Sequence, residues 1–223
     1  MRMKRALIVV AKEPSPGTTK TRLVPPLTPE EAAELYRCLL SDTLELMGRV
    51  DGAQPVLAYT PAQAEPFFRG FVPHGFQLIA QRGPTLGQRL DNVLRAHLEQ
   101  GYVQAVVMDS DSPTLPPAYL QQAFQQLDQP EVDVVLGPTE DGGYYLIGLK
   151  RPCSALFEVA MSTPTVLQET LELARRQGLR VACLPAWYDV DNAEDLQRLR
   201  RELAAQPNDI APSTRRLLVT WSD

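Results

Sequence analysis

Residues 5–36, RALIVVAKEPSPGTTKTRLVPPLTPEEAAELY, decide the fold. They open on an unbroken apolar run, pass through a loop carrying Lys12, Lys20 and Arg22, and enter a helix at Thr28. An apolar run without polar alternation fits a strand covered on both faces. The helix start is explicit: Thr28 offers an N-cap, Pro29 stands at the first helical position, and a glutamate completes a capping box. Ala32, Leu35, Tyr36, Leu39, Leu40, Thr43, Leu44 and Met47 then recur on one face. A strand, a polar loop and an amphipathic helix form the first unit of an α/β protein.

The alternation continues outward from that stretch. Further strands are expected at 55–59, 76–80, 103–108, 132–137, 144–149 and 180–185. Helices are expected to start at Thr60-Pro61, at Thr85, at Pro116 or Pro117, at Thr163-Pro164 and after Asn192. The run GYYLIGL follows the preceding strand too closely for a crossover helix, so one antiparallel element is expected. The expected architecture is a three-layer α/β/α sandwich with a mostly parallel mixed sheet. The tail after residue 207 is polar, then apolar at RLLVTW, and is expected to fold back loosely. With no repeat and no linker, residues 1–223 are expected to form one domain.

Composition narrows the function classes. Apolar residues at 44% and charged residues at 22% exclude wholesale disorder. No apolar run approaches the roughly 18 residues of a membrane span. The basic N-terminus leads into an apolar run of 6–11 alone, which reads as a first strand and not a signal sequence. A net charge of -5 argues against a general nucleic-acid binder. Yet Lys4, Arg5, Lys12, Lys20 and Arg22 gather in the first 22 residues, opposed only by Glu13. A local basic site on an acidic protein points to a small phosphorylated ligand. Cys38, Cys153 and Cys183 are odd in number and form no C-x-x-C pair, so buried thiols in a reducing cytoplasm are expected.

In open α/β sheets, ligands bind beyond the carboxyl ends of the strands. The lysine loop stands at such an end, where Lys12, Lys20 and Arg22 compensate phosphate charge and Gly17 permits close backbone approach. It is not a P-loop: Lys12 holds the place of the first glycine, and Thr19 precedes Lys20. No G-x-G-x-x-G is present either. DSDSP sets Asp109 and Asp111 at the mouth of a buried strand. Hard oxygen ligands beside phosphates suit Mg²⁺ or Mn²⁺. A phosphohydrolase Asp-x-Asp-x-Thr/Val motif fits less well, because Pro113 occupies the fifth position and the motif lies mid-chain.

Asp141, Gly142, Gly143 and Tyr144 read either as a bare turn or as a ligand-facing segment whose glycines admit a substrate against backbone. Asp189 and Asp191 could add carboxylates to a metal, though Asp191 also suits a helix cap. Arg82 could hold a second anionic group, and Arg89 reads as exposed. His97 lies on an apolar helix face and reads as structural, and His74 shows no catalytic context.

The motifs AKEPSPGTTKTRL, DSDSPTL, GPTEDGGYYLIGL and DVDNAEDL, in this order, resemble the DUF2064 or glycosyltransferase-A-like family of bacterial proteins. That family belongs to the nucleotide-diphospho-sugar transferase superfamily with the GT-A fold. The likeness covers about residues 4–200. K-x-R-L-x-P before a capped helix is also similar to the nucleotide loop of phospholactate guanylyltransferase-type enzymes. The resemblance implies nucleotide phosphates on Lys12, Lys20 and Arg22, a metal on Asp111, a D-G-G-Y segment at residues 141–144, and a D-V-D segment holding Asp189 and Asp191. The chain departs from the family in carrying Asp109 where a small residue is usual, and Met161-Ser162 where Trp-Ser often precedes the late helix.

The expected activity is a metal-dependent nucleotidyl transfer. A small phosphorylated acceptor attacks a nucleoside triphosphate and pyrophosphate leaves. Lys20, Arg22 and Asp111 are the expected catalytic residues, and Mg²⁺ or Mn²⁺ the cofactor. A glycosyltransferase with a nucleotide-sugar donor and a sugar acceptor is the alternative on the same fold. A phosphohydrolase or a non-catalytic nucleotide-binding protein ranks below both.

Overall fold

The computed structural model describes residues 4–221. Its strands are β1 (Arg5–Lys12), β2 (Ala53–Thr60), β3 (Gln77–Ala80), β4 (Gln104–Met108), β5 (Val134–Pro138), β6 (Tyr144–Leu149) and β7 (Val181–Cys183). The helices are α1 (Pro29–Gly48), α2 (Glu65–Phe71), α3 (Leu86–Glu99), α4 (Pro117–Asp128), α5 (Val166–Arg176), α6 (Ala193–Ala205) and α7 (Pro212–Thr220).

The strands form one sheet in the order β3-β2-β1-β4-β6-β5-β7. β6 alone runs against its neighbours β4 and β5, while the other pairings are parallel. The antiparallel turn at residues 139–143 is too short for a crossover, as the sequence required. The order sets a switch point between β1 and β4, since the chain steps from β1 to β2 and β3 on one side and then returns to β4 on the other. A crevice opens beyond the carboxyl ends of strands at such a point.

Helices cover both faces. Leu40 and Leu44 of α1, Phe68 of α2, and Leu120 and Phe124 of α4 pack on one face against Leu7, Val9 and Val106. Leu90 and Leu94 of α3 and Ala174 of α5 pack on the other against Ile8, Val107 and Ile147. Each of the large apolar side chains so buried contributes about 1.5–3 kcal/mol relative to exposure. A third cluster joins α1, α6 and α7 through Leu39, Leu199 and Leu217.

The capping box of α1 forms as read: the Glu31 N–H donates to Thr28 Oγ1 (3.2 Å), and the Thr28 N–H donates to Glu31 Oε2 (2.7 Å). Asn192 caps α6 in the same way. The helix start read at Thr60-Pro61 falls one residue later, with Pro61 as the cap. Thr60 ends β2, a 3-10 turn follows at Ala62–Ala64, and α2 begins at Glu65.

The tail is not loose. The Asp42 carboxylate on α1 accepts from the Ser213 N–H (2.9 Å) and the Thr214 N–H (2.8 Å), which caps α7 and seats it on α1. A cap of this kind contributes about 1 kcal/mol. The cysteines also differ from expectation. Cys38 and Cys153 are half-buried, and Cys183 is exposed because β7 is a sheet edge. Among the described residues, no helix is long and apolar enough to cross a membrane.

Candidate functional site

The loop after β1, the turn after β4, the β5–β6 turn and the segment after β7 meet at the carboxyl edge of the sheet. Backbone hydrogen bonds fasten them. The Asp109 N–H donates to the Tyr145 carbonyl (2.9 Å), extending the β4–β6 pairing by one residue. The Val190 N–H donates to the Asp111 carbonyl (3.0 Å), and the Trp187 N–H to the Pro138 carbonyl (3.0 Å). The Ser112 hydroxyl lies 3.1 Å from both Asp109 Oδ2 and the Tyr188 carbonyl. Residues 109–112 and 188–191 are thereby held side by side.

Lys20 closes this arrangement. Its ammonium lies 2.9 Å from Asp111 Oδ2 and 2.7 Å from Asp191 Oδ1, with only 6% of the side chain exposed. Its backbone is left-handed, at φ 50 and ψ 40. A lysine is uncommon there, and such a conformation costs about 1–3 kcal/mol and persists only where the surroundings hold it. Arg22 is looser, reaching Asp191 Oδ2 at 3.5 Å with 67% of its side chain exposed. Lys12 turns its ammonium onto the Thr18 carbonyl (2.8 Å).

Two cavities meet at Asp111, Asp191 and Arg22. One, of about 510 Å³, is lined by Asp109, Asp111, Asp141, Asp189 and Asp191 at its polar end and by apolar side chains such as Leu90, Met161 and Val166 at the other. Among the described residues, Arg22 is the one cation on its lining. The second, of about 260 Å³, is lined by Lys12, Thr18, Thr19, Lys20 and Arg22. The sequence-predicted cations and carboxylates thus come together: carboxylates dominate the larger cavity, and in the smaller one Lys12, Lys20 and Arg22 face Asp111 and Asp191, which line it too.

This gathering of charges shapes protonation. Burial, followed by repulsion from Asp111 and Asp189, raises Asp109 well above the usual carboxylate range. Burial, with repulsion from Asp191, Asp141 and Asp111, pushes Asp189 up to about 7. Burial also raises Asp111, against the attraction of Lys20. For Asp191, burial acts upward but Lys20 outweighs it, and the group titrates below its usual value. Lys20 shows the counterpart: burial opposes the ammonium, yet Asp111 and Asp191 together hold its proton more tightly than in a free lysine.

The remaining predicted residues fall as follows. Gly17 is left-handed (φ 72), and a Cβ there would meet nothing within 4 Å. Gly142 answers to packing: at φ 93, a Cβ would stand 2.0 Å from the Pro164 carbonyl oxygen. Asp141 braces its own turn, accepting from Thr139 Oγ1 (2.5 Å) and the Gly143 N–H (3.0 Å), and it also lines the larger cavity. Tyr144 lines that cavity with its hydroxyl 3.8 Å from Met161 Sδ. Arg82 is exposed and outside the lining of both cavities. His97 is buried, with Nδ1 2.7 Å from the Val93 carbonyl, as a structural histidine should be.

Sequence reasoning missed Tyr36. It reads as a core position of α1, but its hydroxyl accepts from the Lys12 N–H (3.1 Å) and lies 2.9 Å from Ser110 Oγ. Burial, followed by the nearby Asp111, pushes this phenol up to about 12, so it stays protonated. Tyr36 pins the start of the basic loop to the Asp-Ser-Asp turn.

The donor set suits a hard divalent cation: its members are carboxylates, and their surplus charge is what a dication neutralises. Asp109, Asp111, Asp189 and Asp191 are the candidate ligands. Among the described residues, no three carboxylate, imidazole or thiol groups are gathered closely enough to hold one. The fit is therefore in donor chemistry, and ligation would require side chains to turn.

The fold is that of the nucleotide-diphospho-sugar transferases. Over 99% of the chain and 95% of the other, it superposes with a TM-score of 0.90 and 33% identity on a provisionally named nucleotide-diphospho-sugar transferase from Desulfovibrio desulfuricans G20. More distant likenesses share the fold alone. One is CMP:2-keto-3-deoxy-manno-octonic acid synthetase complexed with CTP (16% identity, TM-score 0.59, 91% and 99% coverage). Another is Rv0371C of Mycobacterium tuberculosis H37Rv in complex with manganese (17% identity, TM-score 0.54, 88% and 97% coverage). No curated protein matches the chain significantly by sequence. The model of the family described as "Uncharacterized protein conserved in bacteria (DUF2064)" matches residues 43–163, and the chain belongs to that family.

Proposed function

We propose that this protein is a metal-dependent nucleotide-binding transferase, and that it joins a nucleoside triphosphate to a small phosphorylated acceptor with release of pyrophosphate. The observation that carries the reading is the cleft formed by Lys12, Lys20 and Arg22, opening directly beside the carboxylate end of the larger cavity. A polyphosphate needs concentrated positive charge, and Lys12 at the end of β1 with Lys20 and Arg22 on the loop after it outnumber Asp111 and Asp191, which also line the cleft. The larger cavity, at about 510 Å³, has the size of ordinary small-molecule sites. The CTP-bound synthetase of the same fold supports a triphosphate substrate by analogy.

In this mechanism Lys12 and Lys20 hold the triphosphate, with Gly17 allowing the loop backbone to come close. The acceptor oxygen attacks the α-phosphorus from the larger cavity. A new P–O bond forms, the α–β bond breaks, and pyrophosphate departs with the electron pair. Arg22, exposed and lining both cavities, reaches the acceptor side. Transfers of this kind depend on positioning and charge neutralisation more than on covalent help. A divalent cation held by Asp111 with Asp109, Asp189 or Asp191 would supply charge neutralisation across the phosphates. The manganese complex of Rv0371C supports that assignment by analogy. Tyr36 and Ser112 keep the carboxylate turn in position.

The name of the Desulfovibrio relative favours a second reading, a transferase with a nucleotide-sugar donor. One experiment separates the two. The protein is incubated with Mg²⁺, a filtered small-molecule extract, and either α-labelled nucleoside triphosphates or UDP- and GDP-sugars. Nucleotidyl transfer predicts label in a new metabolite with equimolar pyrophosphate. Nucleoside diphosphate released from a nucleotide-sugar, with no turnover of triphosphates, would replace it with glycosyl transfer.

A further inference from the structure

We infer that the Lys20 ammonium and a divalent cation are alternative partners of the Asp111–Asp191 pair, so that the protein binds its cation weakly alone and takes it up together with a polyphosphate. This rests on the nucleotide-binding reading above and adds an order of binding to it.

The geometry is competitive. Lys20 Nζ stands 2.9 Å from Asp111 Oδ2 and 2.7 Å from Asp191 Oδ1, between the two carboxylates. A divalent cation held by the same two carboxylates would need the space the ammonium fills, because hard cations draw carboxylate oxygens in closely. Two positive centres do not share that space. Consistently, among the described residues no three candidate ligands converge on a common point.

Lys20 does not leave without a destination. A buried ammonium stripped of its partners is costly, and 94% of the Lys20 side chain is shielded, as its 6% exposure shows. The smaller cleft offers the destination. Lys20 lines it together with Lys12, Thr18, Thr19 and Arg22, and Asp111 and Asp191 line it as well. A polyphosphate seated there presents oxygens to the same ammonium, draws Lys20 from Asp111 and Asp191, and frees both carboxylates. Arg22 does not play this part, because it reaches Asp191 alone, at 3.5 Å, and is largely exposed.

The test is Mn²⁺ binding to nucleotide-free protein, read from the free-ion signal in electron paramagnetic resonance. Wild type is compared with Lys20→Met, Lys20→Gln and Arg22→Met, each checked for folding by thermal unfolding. The Lys20 variants are expected to bind Mn²⁺ about tenfold more tightly than wild type or better. Arg22→Met should change affinity by less than about threefold. Adding Asp191→Asn to Lys20→Met should abolish the gain. Equal affinity of wild type and Lys20 variants overturns the inference, and so does absence of binding by every form.

Should the Lys20 variants not fold, wild-type crystals soaked in MnCl₂ give the answer. An anomalous peak between Asp111 and Asp191 with Lys20 still paired to both contradicts the inference, and no peak there without a polyphosphate supports it. The nucleotide reading fails separately, by loss of triphosphate binding in wild type with metal present.

Discussion

Lys20 and Asp191 stand 171 positions apart in sequence, and the Lys20 ammonium donates to Asp191 Oδ1 over 2.7 Å. With Asp111 on its other side, this lysine ties the loop after β1 to the turn after β4 and to the segment after β7. Removing one carboxylate leaves a buried ammonium half-compensated. Asp191 is a third exposed, so the loss lies between the surface and buried limits. Asp191→Asn should cost about 1–3 kcal/mol in urea unfolding. The double variant Lys20→Met/Asp191→Asn should cost less than the sum of the singles. Additive losses would show that the pair is uncoupled.

The two glycines at the site should behave differently. Gly142→Ala places a methyl 2.0 Å from the Pro164 carbonyl oxygen at a positive φ, so the turn must pull away from the loop that precedes α5. A fall in stability of about 2–4 kcal/mol is expected, with disturbance of the larger cavity. Gly17→Ala meets no neighbour and carries only the backbone penalty, about 1 kcal/mol. Its effect should appear in weakened triphosphate binding. Thermal unfolding with and without nucleotide separates the two, and a Gly17→Ala protein that binds triphosphate like wild type would remove Gly17 from the phosphate loop.

Acid stability should report on Asp133. Hydrogen bonds from the Arg180 N–H and from the Arg180 guanidinium lower this carboxyl from 3.8 to about 2. A depressed carboxyl contributes stability above its unfolded pKa and loses it as pH falls through its folded one. The contribution of Asp133 is therefore complete above about pH 4 and gone below about pH 2. Asp133→Asn should lower stability at pH 7 and flatten the decline between pH 4 and 2. Parallel wild-type and variant curves through that window would contradict the assignment.

Much of this was legible in the chain because it depends on local pattern. The α1 cap needs only Thr28, Pro29 and Glu31, and the reversal at β6 needs only the shortness of residues 139–143. The misses depend on partners distant in sequence. α7 has few apolar positions of its own and owes its place to Asp42 and the side of α1. The Thr60-Pro61 start is displaced by one residue because the last pairing of β2 with β1 takes Thr60 into the sheet, leaving Pro61 as the cap. The candidate site was legible as a set of motifs at strand ends. Its wiring was not: Lys20 and the two aspartates read separately as a phosphate contact and metal ligands, and nothing in the sequence shows that they neutralise one another. Tyr36 was hidden for the same reason, its helical spacing marking only that it faces inward.

The most direct measurement of the central claim is a thermal-unfolding panel with Mg²⁺, setting four nucleoside triphosphates against UDP- and GDP-sugars. A ligand at about 100 times its dissociation constant adds about 2.7 kcal/mol. For a chain of this length that is a rise of about 5–10 °C. A triphosphate site built on Lys20 should give such a rise with one or more triphosphates, lost in Lys20→Met. Stabilisation by a nucleotide-sugar alone, or by nothing in the panel, would contradict it.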